Sequence, residues 1–335
     1  MKNEKINLNE KIFIAGASGM AGSAILRSFQ KGGYGNLSAG GSIITPSSKE
    51  LNLLDINQVE SFFATKKPTV VVLAAAKVGG ILANSTQPAK FILENLKIQT
   101  NVIETAWRSG VKRLLFLGSS CIYPKFAKQP IEEESLLKGP LEITNESYAI
   151  AKIAGIKLCD SLRIQYGFDA ISLMPTNLYG PGDNYHPQNS HVMAALIKRI
   201  TDATINSEPS IKCWGTGKPF REFMYADDLG EAVLFALKYW NPDADNAPRD
   251  TEGKALSFLN VGTGNDISIL DLAKKIANLT HYKGEIFWDS NKPDGTPKKQ
   301  LCVKRLKELG WEAKTDLDTG IKKTIESYKA STKTL

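Results

Sequence analysis

Ile12-Phe13-Ile14-Ala15-Gly16-Ala17-Ser18-Gly19-Met20-Ala21-Gly22 decides the fold. Four apolar residues that read as a strand pass directly into a G-x-x-G-x-x-G turn, and from Met20 to Gln30 the pattern becomes helical. Glycines at these positions let backbone N–H groups close on a pyrophosphate at a helix N-terminus, where the peptide dipoles favour negative charge. A tight structural turn would use the same residue type. Position separates the two readings, because this turn joins the first strand to the first helix of a chain that goes on alternating.

Outward from it, Ser42-Ile43-Ile44-Thr45 reads as a second strand, Ile56 to Thr65 as a helix, and Val70-Val71-Val72-Leu73 as a further strand. A helix near Pro88 to Arg108 leads to the strand Arg113-Leu114-Leu115-Phe116-Leu117, and a helical stretch from Ser147 to Tyr166 leads to a strand over Ala170 to Met174. The alternation predicts the α/β class: a Rossmann-like doubly wound parallel sheet with ligands at the carboxyl ends of its strands. Residues 1–178 form the dinucleotide-binding domain in this reading. Beyond Tyr179 the texture changes to loops rich in Gly, Pro and Asn, so 179–327 reads mainly as a smaller α/β substrate-binding domain, with a return to the first around 222–240. The polar stretch 241–254 reads as a surface loop and 328–335 as a frayed, disordered tail.

A chain of 335 residues is long for one hydrophobic core, in agreement with two units. No run approaches the roughly 20 apolar residues of a membrane span. Met1-Lys2-Asn3-Glu4 begins no apolar signal segment, so a cytoplasmic protein with no membrane partner is expected. The net charge of +7 rests on dispersed lysines with no basic stripe interleaved with aromatics, which argues against nucleic acid and suits small polyanions such as nucleotides. Cys121, Cys159, Cys213 and Cys302 form no C-x-x-C pair, so neither a disulfide framework nor a zinc site is expected.

The end of the second strand selects the dinucleotide, an acidic side chain there taking the ribose hydroxyls and a cation taking a 2′-phosphate. This chain offers Thr45-Pro46-Ser47-Ser48-Lys49, which favours NADP(H) and leaves NAD(H) open. Asp55 reads two ways, as acceptor for the adenine amino group or as N-cap of the next helix.

Tyr148 and Lys152 lie four apart, on one face of a helix. A phenol with a pKa of about 10 is a poor proton donor or acceptor at neutral pH, and a neighbouring ammonium, helped by a nicotinamide cation, is expected to lower it. Tyr148 could then protonate a ketone under reduction while Lys152 holds the nicotinamide ribose. Ser119, past the end of a strand, would hydrogen-bond the carbonyl oxygen. Cys121 lies two residues further and enters the same cavity, whereas Cys159, Cys213 and Cys302 read as small buried hydrophobes. His191 follows a Gly/Pro/Asn-rich segment, 180–190, able to fold over that cavity; its plainer reading is a helix-capping or solvent-facing residue. A thiol and an imidazole on opposite sides of a carbon can remove a proton from one face and return one to the other, which is epimerase chemistry. A 4-keto hexose unites both chemistries, because its carbonyl acidifies the C–H bonds at C3 and C5 before C4 is reduced.

Six runs carry a wider likeness: Glu50-Leu51-Asn52-Leu53-Leu54-Asp55, Leu73-Ala74-Ala75-Ala76-Lys77-Val78-Gly79-Gly80, Leu117-Gly118-Ser119-Ser120-Cys121-Ile122-Tyr123-Pro124-Lys125, Tyr148-Ala149-Ile150-Ala151-Lys152, Pro175-Thr176-Asn177-Leu178-Tyr179-Gly180-Pro181 and Lys292-Pro293-Asp294-Gly295-Thr296-Pro297. With them the chain resembles the GDP-L-fucose synthase family, the GDP-4-keto-6-deoxy-D-mannose 3,5-epimerase/4-reductases among the extended short-chain dehydrogenase/reductases. The resemblance runs from Phe13 to about Trp311. It implies an NADPH-dependent enzyme that makes GDP-L-fucose, with Tyr148 as reductive acid, Ser119 its partner, Lys152 the cofactor lysine, and Cys121 with His191 the acid/base pair of both epimerisations. By the same resemblance Leu117, Gly118, Ser119 and Ser120, with Pro175, Thr176, Asn177, Leu178 and His191, line the nicotinamide side. Arg199, Trp214, Arg221, Asp294 and Lys299 are placed at the GDP-sugar, where Arg221 can fork onto a diphosphate and Trp214 pack on a flat ligand surface. Members of the family carry arginine in the glycine loop and after the second strand, both serving the 2′-phosphate; this chain has Ser18 and Ser48 there. A homodimer is implied, joined by the helices near Pro88 to Arg108 and Ser147 to Tyr166. A related GDP-4-keto sugar, such as a deoxyheptose, is the alternative substrate.

Overall fold

The apolar run before the glycine turn forms β1 (Lys11–Ala15), and the turn opens α1 (Met20–Lys31). The structure, a computed structural model, describes residues 4–187, 189–292 and 294–333. Met1 to Asn3, Gln188, Pro293 of the quoted Lys292 to Pro297 run, and Thr334 and Leu335 of the expected tail lie outside the described residues. The alternation continues through β2 (Ser42–Ile44), α2 (Ile56–Lys66), β3 (Val70–Leu73), α3 (Ile81–Thr86), α4 (Pro88–Arg108), β4 (Arg113–Leu117), α5 (Glu146–Tyr166) and β5 (Ala170–Pro175). Next come β6 (Asn177–Tyr179), α6 (Val192–Ile205), β7 (Ser210–Trp214), β8 (Phe220–Tyr225), α7 (Ala226–Tyr239) and β9 (Phe258–Val261). The chain ends with β10 (Asp266–Ser268), α8 (Ile269–Thr280), β11 (Glu285–Asp289), β12 (Lys298–Lys299), α9 (Lys304–Leu309) and α10 (Leu317–Lys333).

The main sheet has the order β2-β1-β3-β4-β5-β9, with every neighbouring pair parallel. A parallel sheet needs cover on both faces, and its side chains alternate between them. Val70 and Val72 accordingly join a core with Ile25 and Phe29 of α1 and Val233 and Leu237 of α7. Val71 and Leu73 join the opposite core with Phe63 of α2, Val102 of α4 and Ile156 of α5. Each such fully buried aliphatic side chain contributes about 1.5–3 kcal/mol relative to exposure. The chain moves from β1 to β2 on one side and to β3 on the other, so a crevice opens above the carboxyl end of β1, where Gly16 stands.

A second unit is built on β8, which pairs with β6, β10 and β12, and on the parallel pair β7 and β11. Its core draws on Ile197 and Ile200 of α6, Phe223 and Tyr225 of β8, and Leu272 and Ile276 of α8. Within the expected return window, 222–240, α7 packs back on α1 and Met224 of β8 and Trp240 join the first core, while β8 pairs with strands of the second unit; β9, which pairs with β5, comes after it. The frayed tail is corrected. Ile321, Ile325 and Tyr328 recur at helical spacing and are all buried, and the Tyr328 hydroxyl donates to Asp202 Oδ1 at 2.7 Å, so α10 continues to Lys333. Among the described residues no helix is long and apolar enough to cross a membrane.

Candidate active site

Two of the three turn glycines are required by close backbone approach. A Cβ on Gly16, whose φ is +86°, would lie 2.7 Å from the Ala75 nitrogen, and one on Gly22 would lie 2.0 Å from the Gly16 carbonyl oxygen. At Gly19 the nearest such atom is 3.5 Å away. Its open face adjoins the first turn of α1, whose leading N–H groups have no intrahelical acceptor, and this fits the pyrophosphate of a dinucleotide. Ser18 is exposed, as are Ser48 and Lys49 on the turn after β2, a turn closed by the Ser47 N–H donating to Glu50 Oε2 at 2.7 Å. Of the two readings of Asp55, the geometry displays the cap: Oδ1 accepts from the Asn57 and Gln58 N–H groups at 3.0 and 3.4 Å, and Oδ2 from Gln58 Nε2 at 3.0 Å.

Strand β4 ends at Leu117, and Lys152 of α5 reaches it: the buried Nζ donates to the Leu117 carbonyl at 2.7 Å and lies 4.6 Å from the centre of the Phe116 ring. Burial lowers its pKa to about 7. Ser119 Oγ accepts the Cys121 N–H at 3.2 Å. The expected lowering of the Tyr148 phenol is corrected. Burial, and after it the charge of Cys121, push its pKa up, and Lys152 spends its proton on a backbone carbonyl with Nζ 6.0 Å from the Tyr148 ring centre. Tyr148 therefore stays protonated at neutral pH, with a proton to give. Beyond β5, Thr176 Oγ1 and Asn177 Nδ2 donate to the Glu222 carbonyl at 3.2 and 2.8 Å, which ties the Pro175 to Leu178 turn to β8 beside the end of β4. Gly118 and Ser120 complete the wall at β4, Ser120 being buried.

Cys121 Sγ has two donors that are remote in sequence or element. Asn145 Nδ2 lies 3.4 Å from it and Lys299 Nζ 3.5 Å. Burial pushes the thiol up, yet the Lys299 charge, hydrogen bonds from Ser119 and Lys299, and the Arg221 charge outweigh it and leave the pKa below the ordinary thiol value. His191 stands at the N-cap position of α6 without a side-chain capping bond, so the plainer capping role is not filled by its ring. The residue is exposed, as its solvent-facing reading has it, and desolvation by the protein around it and then the Lys299 charge lower its pKa. One ammonium thus acts on both members of the expected acid/base pair.

The residues expected at a GDP-sugar divide into two groups. Arg221 and Asp294 meet, Arg221 Nη2 donating to the Asp294 carbonyl at 3.4 Å, while the Asp294 carboxylate accepts from Thr216 N and Oγ1 at 2.7 and 2.8 Å. Lys299 joins them because β12 pairs with β8 in a register that sets Lys299 opposite Arg221. Arg199 donates instead to the Lys212 carbonyl on β7, and Trp214, at the end of that strand, is 48 % exposed with Lys292 Nζ 5.3 Å over its ring.

Three features escaped the sequence reading. Asn145 signalled only that a helix follows. Lys125 and Glu142, paired at 2.9 Å, line a small cavity with Cys121, Asn145, Thr296 and Lys299. Glu222, fully buried, accepts the N–H groups of Thr263, Gly264 and Leu301 at 2.6, 2.8 and 2.7 Å and so fixes the strand that carries Lys299. Its signal was a lone carboxylate in the strand-like run Phe220-Arg221-Glu222-Phe223, beside one other charge, Arg221.

A glycine turn that fits a pyrophosphate at the sheet's switch point, together with a tyrosine and a lysine one helical turn apart, is the arrangement of the extended short-chain dehydrogenase/reductases. Residues 12–249 match the pattern described as the NAD dependent epimerase/dehydratase family. The chain belongs to that family, in the branch of the GDP-L-fucose synthases. It is 50% identical over 320 residues to a rice (Oryza sativa subsp. japonica) protein named Probable GDP-L-fucose synthase 1, covering 95% of this chain and 91% of the relative. It is 49% identical over 319 residues to the GDP-L-fucose synthase of Escherichia coli (strain K12), covering 95% and 96%. A solved structure of a Campylobacter jejuni GDP-D-glycero-L-gluco-heptose synthase in the presence of NADPH superposes with a TM-score of 0.86 at 34% identity, covering 97% of this chain and 99% of that one.

Proposed function

We propose that the chain is an NADP(H)-dependent epimerase/reductase that inverts C3 and C5 of GDP-4-keto-6-deoxy-D-mannose and reduces C4, giving GDP-L-fucose. The observation that carries it is the contact of Cys121 with Lys299 and Asn145 directly beside Ser119 and Tyr148. An acid/base thiol and a reductase tyrosine then face one ketone. Cys121, biased toward thiolate, removes the proton α to the carbonyl, and solvent-accessible His191 returns one to the opposite face. Once both centres are inverted, Tyr148 protonates the C4 oxygen while the Ser119 hydroxyl holds it. When bound, the nicotinamide supplies the hydride to C4. Lys152 holds the ribose of the cofactor, Gly16 to Gly22 its pyrophosphate, and Lys49 with Ser18 and Ser48 its 2′-phosphate; His191 closes the nicotinamide side. Arg221 and Asp294, with Trp214 and Arg199 beyond them, take the GDP moiety.

The similarity to named GDP-L-fucose synthases supports the sugar. The 34% identical heptose synthase favours a second reading, a related GDP-4-keto heptose on the same machinery. Exposed Leu93 on α4, with Ile150, Ile164 and Tyr166 on α5, supports a homodimer joined by these two helices. The absence of an apolar span among the described residues suits a cytoplasmic enzyme.

Turnover of GDP-4-keto-6-deoxy-D-mannose in D2O, with NADPH and NADH side by side, tests the proposal. Solvent deuterium at C3 and C5 of a fucose product is expected; a product without it at either carbon would overturn the double epimerisation.

A further inference from the structure

We infer that Lys299 is the positioning residue that keeps Cys121 in its thiolate form, rather than a ligand of the nucleotide-sugar. Its Nζ lies 3.5 Å from Sγ, across 178 residues of chain. The approach is built into the backbone. Strand β12 is two residues long, and successive side chains of a strand leave on opposite faces. Lys298 accordingly pairs with Asp266 at 3.1 Å on one side, and Lys299 is directed to the thiol on the other. The strand is locked in this register by three contacts: the pairing of Lys299 with Arg221, the Gln300 N–H on Gln129 Oε1 at 2.9 Å, and the Leu301 N–H on Glu222 Oε2 at 2.7 Å.

Charge bookkeeping around the cavity leads the same way. Its carboxylate, Glu142, is paired with Lys125 at 2.9 Å, and among the described residues Lys299 forms no ion pair with a carboxylate. The groups facing Sγ are Ser119 from its own loop, Asn145 and Tyr148 at the start of α5, Arg221 of β8 and Lys299 of β12. Of these, Lys299 is the cation in contact, with Arg221 behind it. A thiolate with an ammonium at this distance is the arrangement that makes cysteine reactive at neutral pH. Lys299 also opposes protonation of His191, so the same charge that readies the base makes the imidazolium a stronger acid.

The catalytic consequence rests on the epimerase reading above; the charge state of Cys121 does not, and the experiment separates them. In the folded full-length chain, iodoacetamide modification of Cys121 is followed by peptide mass spectrometry from pH 6 to 10. The parent protein and Lys299→Arg are expected to react at neutral pH. Lys299→Met is expected to shift the profile upward by about one pH unit and to lose roughly tenfold in rate at pH 7. Equal profiles for the parent protein and Lys299→Met would overturn the inference. So would a loss of GDP affinity in calorimetry with an unchanged alkylation profile. Should Lys299→Met fail to fold, the parent's own thiolate absorbance, taken as the part lost in Cys121→Ser, decides: a midpoint at or above about 8.5 overturns it. Lack of turnover on the proposed sugar, with the alkylation shift present, would reject the substrate and leave Lys299 in place.

Discussion

Gly80 and Ser190 meet backbone to backbone: a Cβ on Gly80 would lie 2.6 Å from the Ser190 carbonyl oxygen. The Gly80 N–H also donates to the Asn189 carbonyl at 3.1 Å. The loop after β3 thereby holds the segment that delivers His191 to the cleft. Gly80→Ala is expected to push that segment outward and misplace the imidazole, and a displacement of this kind costs on the order of 100-fold in rate. Solvent deuterium incorporation should fall by that amount, while the urea midpoint changes little.

Cys121→Ser and Tyr148→Phe should divide the reaction. The first is expected to slow proton exchange at C3 and C5 by roughly 100-fold or more and to spare hydride transfer to a 4-keto substrate that needs no inversion. The second is expected to spare exchange and stop reduction. Equal loss of both activities in Cys121→Ser, measured by deuterium NMR and NADPH oxidation in parallel, would contradict separate roles.

Lys152 gives stability a pH dependence. Burial lowers its pKa to about 7 from 10.5, so between these values the unfolded chain binds more protons than the folded one, and stability rises with pH. Below pH 7 the charged amine is carried in both states and the folded state bears its desolvation. Lys152→Met removes this dependence. The urea midpoint of the parent protein, relative to that variant, should therefore climb between pH 7 and pH 10.

Cofactor choice should respond at the turn after β2. Lys49→Ala is expected to raise the KM for NADPH by about tenfold with little effect on NADH, since one charge-assisted phosphate contact is lost. Ser48→Arg should move the NADPH to NADH ratio of kcat/KM upward. Steady-state kinetics with both cofactors checks each direction.

Glu222→Gln is expected to destabilise the chain by about 3 kcal/mol, because a buried carboxylate that accepts three backbone N–H groups becomes an amide with donors of its own. Urea unfolding measures it. The same change should loosen β12 and lower Cys121 alkylation at neutral pH.

Much of this protein was legible along the chain. Strand and helix boundaries followed local periodicity: α4 runs from Pro88 to Arg108 and β3 from Val70 to Leu73, as their apolar spacing predicts. The glycine turn was legible for the same reason, since Gly16 to Gly22 form one contiguous cradle, and so was the Tyr148–Lys152 pair, one helical turn long. What the sequence by itself determined is therefore the sheet, the glycine turn and the helical spacing of the candidate side chains. Tertiary structure alone decided their protonation. The rise in the Tyr148 pKa comes from burial and from Cys121, and the lowering at Cys121 from Lys299 on a distant two-residue strand. It also decided that α10 holds to Lys333, because the buried surface awaiting Tyr328 belongs to other elements. Periodicity is a local property of the chain, whereas desolvation and the field of a charge depend on which remote segments the fold brings within a few ångströms.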